Sequence, residues 1–553
     1  MEQLLKLGSR LYGKAGILVA VIVLLAAGFL YVAGLSPEGK EEMLWWVQDY
    51  LPIFMFLTLA VLLFSGFPVA FILGGLALLY GFIGYFLGVF SLIEFFNFLP
   101  RIWGQAAENL VLVSVPAFVF MGVMMERSGV ANDLLYTVQV LLKRVPGALA
   151  LAVTIMGTIL AAMTGIIGAS VTMMTALALP TMMRQGYSHS LACGTIAASG
   201  TLGILIPPSI MLIIMADLLQ VSVGNVFMAA LVPGLTLAFL YLLYVWLIAW
   251  LKPSVAPPLP PDLLDVPREQ LVTGFTRPLM MLGAVVVAVA SLSWLGGGGL
   301  MPAGVNPSTP FWVAVILAIV WLFGFAGPLL RRAFLPPVVL ITLIKGSILF
   351  GWATPSEAGA VGAFGAIVLA AFAGRLDFRT MQGVCHTAAR TVAMIFFIII
   401  SATSFAYVYR SLGGDDVVER MITQAALDSW GLLILLMLIT FVLGFFLDWI
   451  EITLIVLPVF APLVAGLDFD GYVAANEIKI WFLILMAVNL QTSFLTPPFG
   501  FALFYLKGIA PREIKIQSIY KGIIPFVLLQ LLGLIMIMWQ PEIALWLQRT
   551  VYQ

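Results

Sequence analysis

Long runs of apolar residues, separated by short polar or charged segments, recur along almost the whole chain. Many of these runs exceed about 18 residues, the length of a helix that crosses a bilayer. The first run, Gly16 to Leu35, follows three basic residues and precedes three glutamates. Because basic residues favour the cytoplasmic side, we expect a retained membrane helix there, with the N-terminus in the cytoplasm. The pattern predicts an all-α polytopic membrane protein.

Two of the apolar runs are interrupted in the same way. The stretches "GTLGILIPPSIM" at 200–211 and "QTSFLTPPFGFA" at 491–502 both place glycine and a double proline inside a run. Proline removes a backbone donor, and in hydrocarbon an unpaired backbone group costs several kcal/mol. Such breaks persist only where the freed groups face protein or a polar cavity. For one break, a kink that only shapes packing is the simpler explanation, but two matched breaks favour the midplane binding site of a transporter.

The order of the prolines suggests a duplicated unit. Pro68 and Pro207 are 139 residues apart, and Pro355 and Pro497 are 142 residues apart. Each pair encloses another segment that ends in proline. We therefore divide the chain into four parts. These are an extra N-terminal helix and loop at 1–50, a first repeat at 51–251, a proline-rich linker with an extra helix pair (about 279–295 and 311–325) at 252–336, and a second repeat at 337–553.

Before each double proline lies a segment that can form a helical hairpin with polar residues at its tip. A segment of about 17 residues is too short to cross and return, so each hairpin includes its neighbour and turns inside the membrane. Asp448 and Glu451 are three residues apart, which places them on one helical face. Carboxylates at membrane depth are costly and usually functional, although both could instead be solvated at the interface. The candidate substrate- and ion-binding residues are Gly165, Gly168, Ser170, Thr172, Thr201, Gly203, Pro207, Pro208, Gly444, Asp448, Glu451, Thr453, Thr492, Ser493, Thr496 and Pro497.

Composition narrows the classes of protein to which the chain can belong. Only 9% of the 553 residues are charged and 62% are apolar, whereas soluble domains carry about 25% charged residues. The formal net charge of zero gives no general attraction to nucleic acid. Two cysteines, two histidines and no nucleotide-binding or hydrolase motif argue against an enzyme and against direct use of ATP. We expect no cofactor.

Several motifs together resemble the large membrane subunit of TRAP (tripartite ATP-independent periplasmic) transporters, the DctM-type permeases. They are "RQGYSHSLACGTIAASG" leading into "GTLGILIPPS", "ATPSEAGAVGA" and "LTPPFGFALFYLKGIAP". The similarity covers about residues 51–250 and 337–540. It implies an elevator-type fold of the ion-transporter superfamily, with two inverted repeats, each containing a re-entrant helical hairpin and a broken helix. The helices of 1–50 and 252–336 are extra scaffold helices relative to the shorter family pattern.

The resemblance also implies where ions and substrate bind. The first hairpin and the break from Thr201 to Pro208 would form one Na⁺ site, near Gly168, Ser170 and Gly203. The second hairpin and the break from Thr492 to Pro498 would form another. Its Na⁺ ligands would lie near Asp448, Ser493 and Thr496. The substrate would lie between the two sites. The first hairpin reads "GIIGASVT" where many members show a GSS-like run, which affects its side-chain ligands more than its backbone ligands.

The expected function is Na⁺-coupled import of a small organic acid across the bacterial inner membrane. By the same resemblance, a periplasmic binding protein delivers the substrate and a small four-helix membrane subunit supports the scaffold. The alternative is a stand-alone Na⁺/dicarboxylate symporter that needs no binding protein. A structural scaffold would not require paired broken helices, and an intramembrane enzyme would require a nucleophile–base pair or a metal-ligand set.

Overall fold

The computed structural model describes residues 36–63, 67–164, 167–257, 330, 334–349, 351–497 and 500–552. Within these ranges every regular element is a helix, which confirms the all-α prediction. Seven of the described helices are long and apolar enough to cross a membrane. The helix expected at 16–35, the pair expected at 279–325, and Gly165 lie outside the described residues.

The described helices of the first part of the chain end at Leu251. A 3₁₀ turn, Leu92–Asn97, and a π turn, Trp103–Ala107, flank the short α3, and a 3₁₀ turn, Leu202–Ile204, follows α8. The α-helices are α1 (Pro37–Leu63), α2 (Val69–Phe86), α3 (Phe98–Ile102), α4 (Ser114–Arg127), α5 (Val130–Leu141), α6 (Ala148–Thr164), α7 (Ile167–Arg184), α8 (His189–Thr201), α9 (Ile210–Leu218) and α10 (Val223–Leu251).

The described helices of the later part begin at Leu335. They are α11 (Leu335–Leu349), α12 (Pro355–Phe372), α13 (Phe378–Ser411), α14 (Gly414–Ala425), α15 (Ser429–Leu443), α16 (Trp449–Ala465), α17 (Ile478–Leu495), α18 (Phe501–Ile509), α19 (Ile516–Trp539) and α20 (Glu542–Tyr552).

Residues 37–49 of the acidic segment, expected to be a loop, are instead the first part of α1. Three local signals explain the difference. The backbone N–H of Gly39 donates to Ser36 Oγ at 3.2 Å, Pro37 occupies the first helical position, and Glu38 lies in the first turn. Each of these favours a helix start, because they satisfy or complement the free N–H groups there.

The chain packs as two compact units. One consists of the described part of Met1–Arg101 together with Ser404–Ala425, and the other of the described parts of Ile102–Thr403 and Ala426–Gln553. In the first unit, α1 packs against α2 and α14, and Arg420 forms an ion pair with Asp49 at 2.6 Å. This division reflects packing and does not follow the two repeats, whose boundaries stay a prediction.

The second unit is organised around α17, which is almost wholly buried. Helix α19 packs against both α17 and α8. The crossing of α8 and α19 is close enough that backbones touch. A methyl group at Gly194 would overlap the carbonyl oxygen of Gly522, and one at Gly522 would overlap the carbonyl oxygen of Ser190. Small residues permit such close approach between membrane helices.

Candidate functional site

The first double proline interrupts a helix, as expected. Helix α8 ends at Thr201, a 3₁₀ turn covers Leu202–Ile204, and α9 begins only at Ile210. All residues from Thr201 to Ser209 are buried. The Ser209 hydroxyl crosses the break and donates to the carbonyl oxygen of Ile204 at 2.7 Å. The structure thus places Gly203, Pro207 and Pro208 in non-α-helical backbone inside the protein.

The second double proline also ends a helix. Helix α17 stops at Leu495, Thr496 is extended, and α18 begins at Phe501. Three hydroxyls in and after the last turn of α17 each donate to a backbone carbonyl at 2.8 Å. Each hydroxyl proton is therefore used in a hydrogen bond, and the lone pairs of the hydroxyl oxygen can coordinate a cation. These hydroxyls belong to Thr492, Ser493 and Thr496.

The tip of the first hairpin lies between α6 and α7. Ser170 is buried, and Gly168 and Thr172 are half-buried, all in the first two turns of α7. These turns contact the end of α8, where a methyl group at Gly200 would lie 2.6 Å from Val171 Cγ2. The structure therefore brings the candidate residues of the first hairpin next to the first break.

The tip of the second hairpin lies between α15 and α16, at residues 444–448. Gly444 contacts the second break so closely that a methyl group on it would overlap Ser493 Oγ. Thr453, one turn into α16, is fully buried, and its hydroxyl has no hydrogen-bond partner among the described residues.

The structure brings Asp448 and Glu451 together, but only Glu451 lies within the helix, because Asp448 immediately precedes α16. Asp448 is extended and caps α16, with its carboxylate accepting the backbone N–H of Trp449 at 2.8 Å. Glu451 reaches back and accepts the backbone N–H of Asp448 at 3.2 Å. The two carboxylates form a capping box, a D-x-x-E pattern that satisfies the free N–H groups of a helix start. Because Gly444 of the same tip contacts Ser493, the capped start of α16 lies beside the second break.

The two hairpins and two broken helices pack reciprocally. In each half, both arms of the hairpin pack against the helix that precedes the break: α6 and α7 against α8, and α15 and α16 against α17. The second arm of each hairpin also packs against the helix that follows the break in the other half: α7 against α18, and α16 against α9. This exchange brings both tips and both breaks into one region.

Tyr505 of α18 was missed by the sequence analysis. Its ring lies over the first hairpin tip, 2.8 Å from where a methyl group at Gly168 would be, and it lies close enough to Asp448 and Glu451 to interact electrostatically. Tyr505 therefore contacts the first tip and lies within electrostatic range of the second. The local sequence "FALFYLKG" does not reveal this position of Tyr505, because the position depends on packing between distant parts of the chain.

Gln491 is a second residue that the sequence analysis did not single out. It is fully buried on α17, and its Nε2 donates to Thr201 Oγ1 of the first broken helix at 3.4 Å. The Tyr241 hydroxyl faces the side-chain amides of Gln491 and Gln530 without reaching hydrogen-bond geometry to either. We name Thr201, Tyr241, Gln491 and Gln530 the inter-helix polar cluster. It joins the two broken helices by polar contacts inside the protein.

Replacing Gln491 by leucine is expected to leave the protein as stable or more stable, yet to slow transport. Leucine of similar size removes a buried amide whose oxygen lacks a partner among the described residues, and an unsatisfied polar group costs about 1–3 kcal/mol. Thermal unfolding and substrate uptake, measured on the same preparation, test both parts. The matched control is Gln139→Leu, which removes another buried, incompletely paired amide outside the cluster. Normal uptake by Gln491→Leu would mean that the cluster has no role in transport.

A family model supplies the identification. The model described as "Tripartite ATP-independent periplasmic transporter, DctM component" matches residues 56–543. The chain belongs to this family. It is therefore a large permease component of a TRAP transporter, a multi-pass inner-membrane protein that transports solutes and is not an enzyme.

Curated relatives of the DctM family are similar along most of this chain. The C4-dicarboxylate TRAP transporter large permease protein DctM of Pseudomonas aeruginosa is 26% identical over 443 residues, covering 80% of this chain and 87% of the relative. The ectoine/5-hydroxyectoine TRAP transporter large permease protein UehC of Ruegeria pomeroyi is 26% identical over 509 residues, covering 90% and 99%. The crystal structure of the Alcanivorax borkumensis YdaH transporter aligns over 83% of this chain and 89% of its own, with a TM-score of 0.47 and 14% identity.

Proposed function

We propose that this DctM-family chain imports a small organic acid together with Na⁺. The observation that carries the proposal is the convergence of two hairpin tips and two interrupted helices in one region. Interrupted membrane helices leave backbone groups without helical partners, and those groups bind ions and substrates at the midplane of transporters. Carbonyl oxygens suit Na⁺, whereas N–H groups at helix N-termini suit a carboxylate.

The hydroxyl groups of the second break favour a cation over an anion at that place. Since Thr492, Ser493 and Thr496 already donate their protons to carbonyls, they offer only acceptor lone pairs. Gly168, Ser170 and Gly203 of the first hairpin and break, and Asp448, Ser493 and Thr496 of the second, are the proposed Na⁺ sites. The substrate carboxylate would lie between them, near Tyr505.

The lengths of the hairpin arms support re-entrant helices and an elevator-type movement. Helices α15 and α16 contain 15 and 17 residues. At 1.5 Å per residue they span about 22–26 Å, less than the roughly 30 Å of a hydrocarbon core. Hairpins that turn inside the membrane would carry their ions and substrate with them when the surrounding unit moves.

As a DctM component, the chain would work with two partners. We propose a periplasmic binding protein that delivers the substrate and a small four-helix membrane subunit that supports the scaffold. Names of relatives set the first substrates to try: C4-dicarboxylates, 2,3-diketo-L-gulonate, ectoine and isethionate.

Uptake into proteoliposomes tests the proposal. The reconstituted chain, with its small subunit and binding protein, is expected to accumulate one member of this panel only when an inward Na⁺ gradient is present. Equal uptake with K⁺ would refute Na⁺ coupling. Uptake by the chain alone, without either partner, would instead favour a stand-alone Na⁺/dicarboxylate symporter.

Replacing Ser170 or Asp448 by alanine is expected to raise the Na⁺ concentration for half-maximal uptake about tenfold, which corresponds to about 1.4 kcal/mol of lost ion binding. The matched control is Asp428→Ala. Like Asp448, Asp428 caps a helix, and its carboxylate accepts the backbone N–H of Gly431 at 2.9 Å. Unlike Asp448, it is exposed and lies at the start of α15, the end of that helix opposite the hairpin tip. Sodium dependence that stays unchanged in both site variants would remove these residues from the ion sites.

A further inference from the structure

The first double proline adjoins a cavity that contains a single charged side chain. Lys345, the only charged residue of α11, lines this cavity of about 10 Å³. Lys345 is half-buried, and it forms neither a hydrogen bond nor an ion pair with the described residues. All described lining residues belong to the second compact unit, and none of them is acidic. The others are Pro207, Pro208, Phe227, Leu231 and Ile348.

A lysine in this apolar helix calls for a partner. Charged side chains within membrane segments are costly, and they usually pair with an opposite charge or mark the path of a substrate. A long lysine side chain near a helix end can instead extend to the membrane surface. Lys345 lies against the interrupted helix that forms part of the proposed transport site, so a substrate anion is the partner that its position favours.

The start of α9 supplies free hydrogen-bond donors directly after the same prolines. The backbone N–H groups of Ile210, Met211 and Leu212 have no acceptor among the described residues, although all three residues are buried. Ser209 precedes them but does not cap the helix, because its hydroxyl donates to the carbonyl oxygen of Ile204 instead. Buried N–H groups are rarely left unpaired, and those at the start of a helix favour a negative charge.

We propose that Lys345 and the start of α9 together bind an anionic group of the substrate. The inference rests on the proposed function, because it assigns the side chain that would recognise the charge of the imported acid. Both groups of donors flank Pro207 and Pro208. Lysine side chains and helix N-termini each bind carboxylates and phosphates. Movement of the flexible four-carbon stem of Lys345 would enlarge the small cavity for such a group.

This anion site is separate from the region near Tyr505. None of its described residues belongs to a hairpin tip or to α18. It would therefore take the end of the substrate that lies farther from Tyr505, and Lys345 would set the charge that this end must carry.

Replacing Lys345 by methionine is expected to raise the KM for the imported acid by at least about tenfold, the lower limit for a lost hydrogen bond to a charged group. Methionine keeps an apolar stem of similar length and removes the ammonium. Lys345→Arg keeps the charge and should stay within about threefold of wild type. Uptake is measured with succinate, isethionate and ectoine as probes, on the chain reconstituted with its small subunit and binding protein.

The matched control is Lys507→Met, which should leave the KM unchanged. Lys507 is also half-buried and follows the other double proline, but its ammonium donates to the carbonyl oxygen of Ile514 at 2.6 Å. Unfolding temperatures close to wild type establish that the variants are folded.

Chemical rescue separates a role of the charge from a role in packing. Lys345→Cys is made in a Cys385→Ser background, which leaves Cys193 as the only other thiol, and Cys193 is buried. A methanethiosulfonate then transfers its thioalkyl group to the new thiol as a mixed disulfide and releases methanesulfinate. The 2-aminoethyl reagent returns an ammonium and should restore the KM to within about threefold of wild type, whereas the uncharged propyl reagent of similar size should not.

The outcomes distinguish this inference from the proposed function. An unchanged KM in Lys345→Met, equal rescue by both reagents, or a wild-type chain that imports ectoine, which has no net charge, but neither anion would each overturn the role of Lys345. Na⁺-dependent uptake by the wild-type chain tests the proposed function, whereas only the ratio of variant to wild type tests Lys345. A wild-type chain that imports none of the probes would refute both.

Discussion

Replacing Gly444 by alanine is expected to reduce substrate uptake by at least tenfold while leaving the protein inserted and folded. The new methyl group would overlap Ser493 Oγ and lie 2.6 Å from Ser493 Cβ. Rotating the hydroxyl does not relieve the second contact, so the tip of the second hairpin must move away from the break. The backbone of Gly444 is in the ordinary right-handed helical region, so alanine causes no backbone strain there. Uptake rates of reconstituted variants measure the effect.

Two further variants distinguish this steric cause from a general loss of function. In a Ser493→Gly background the obstacle is absent, so adding Gly444→Ala should cause little further loss, a strong departure from additivity. Gly466→Ala, at the other end of α16, is the matched control because its nearest new contact is an ordinary 3.6 Å. Additive losses in the double variant would contradict direct contact between tip and break.

Replacing Gly522 by alanine is expected to lower the free energy of unfolding by at least about 3 kcal/mol, the upper part of the range for overpacked cores. The added methyl group would overlap the carbonyl oxygen of Ser190 and lie 2.7 Å from its carbonyl carbon. Both obstacles are backbone atoms, which cannot move unless α8 and α19 separate. Because α8 carries the first break, the same change should also abolish uptake. Thermal unfolding in detergent measures the loss of stability.

The control for this prediction is Gly75→Ala. Gly75 lies within α2, and a methyl group on it would meet nothing within 4 Å. Alanine is favoured over glycine inside a helix by up to about 1 kcal/mol, so this variant should be as stable as wild type or slightly more stable. Unfolding of Gly522→Ala at the wild-type temperature would mean that the two helices are not in backbone contact.

The sequence was most informative about the positions at which a membrane helix is interrupted. The double prolines at 207–208 and 497–498 predicted both interruptions, because two consecutive residues without a backbone donor disrupt a helix more than one does. Single prolines do not interrupt their helices here: Pro180, Pro233 and Pro525 lie inside α7, α10 and α19. Apolar run length predicted a polytopic membrane protein, because the bilayer imposes a helix length that does not depend on neighbours, and seven described helices reach that length. The loop predicted for residues 37–50 is wrong, because Pro37 and Glu38 favour a helix start and α1 begins there.

The candidate site was less accessible to sequence reasoning. The glycines, serines and threonines at the tips and breaks could be predicted as candidate binding residues, because small and hydroxyl-bearing residues are unusual within an apolar run. Asp448 and Glu451 were named, but their capping box was not recognised, although the D-x-x-E spacing is a sequence signal. Tyr505 and Gln491 could not be identified, because each acquires its position from the packing of one half against the other.

The inter-helix polar cluster also provides a spectroscopic probe. Tyr241 is completely enclosed, and its hydroxyl faces amides carried by two different helices, α17 and α19. A fluorine atom on the ring of this tyrosine would report any shift of either amide as a change in ¹⁹F chemical shift. One labelled residue could then follow, in a native-like lipid bilayer, whether the cores of both halves rearrange together when Na⁺ is added.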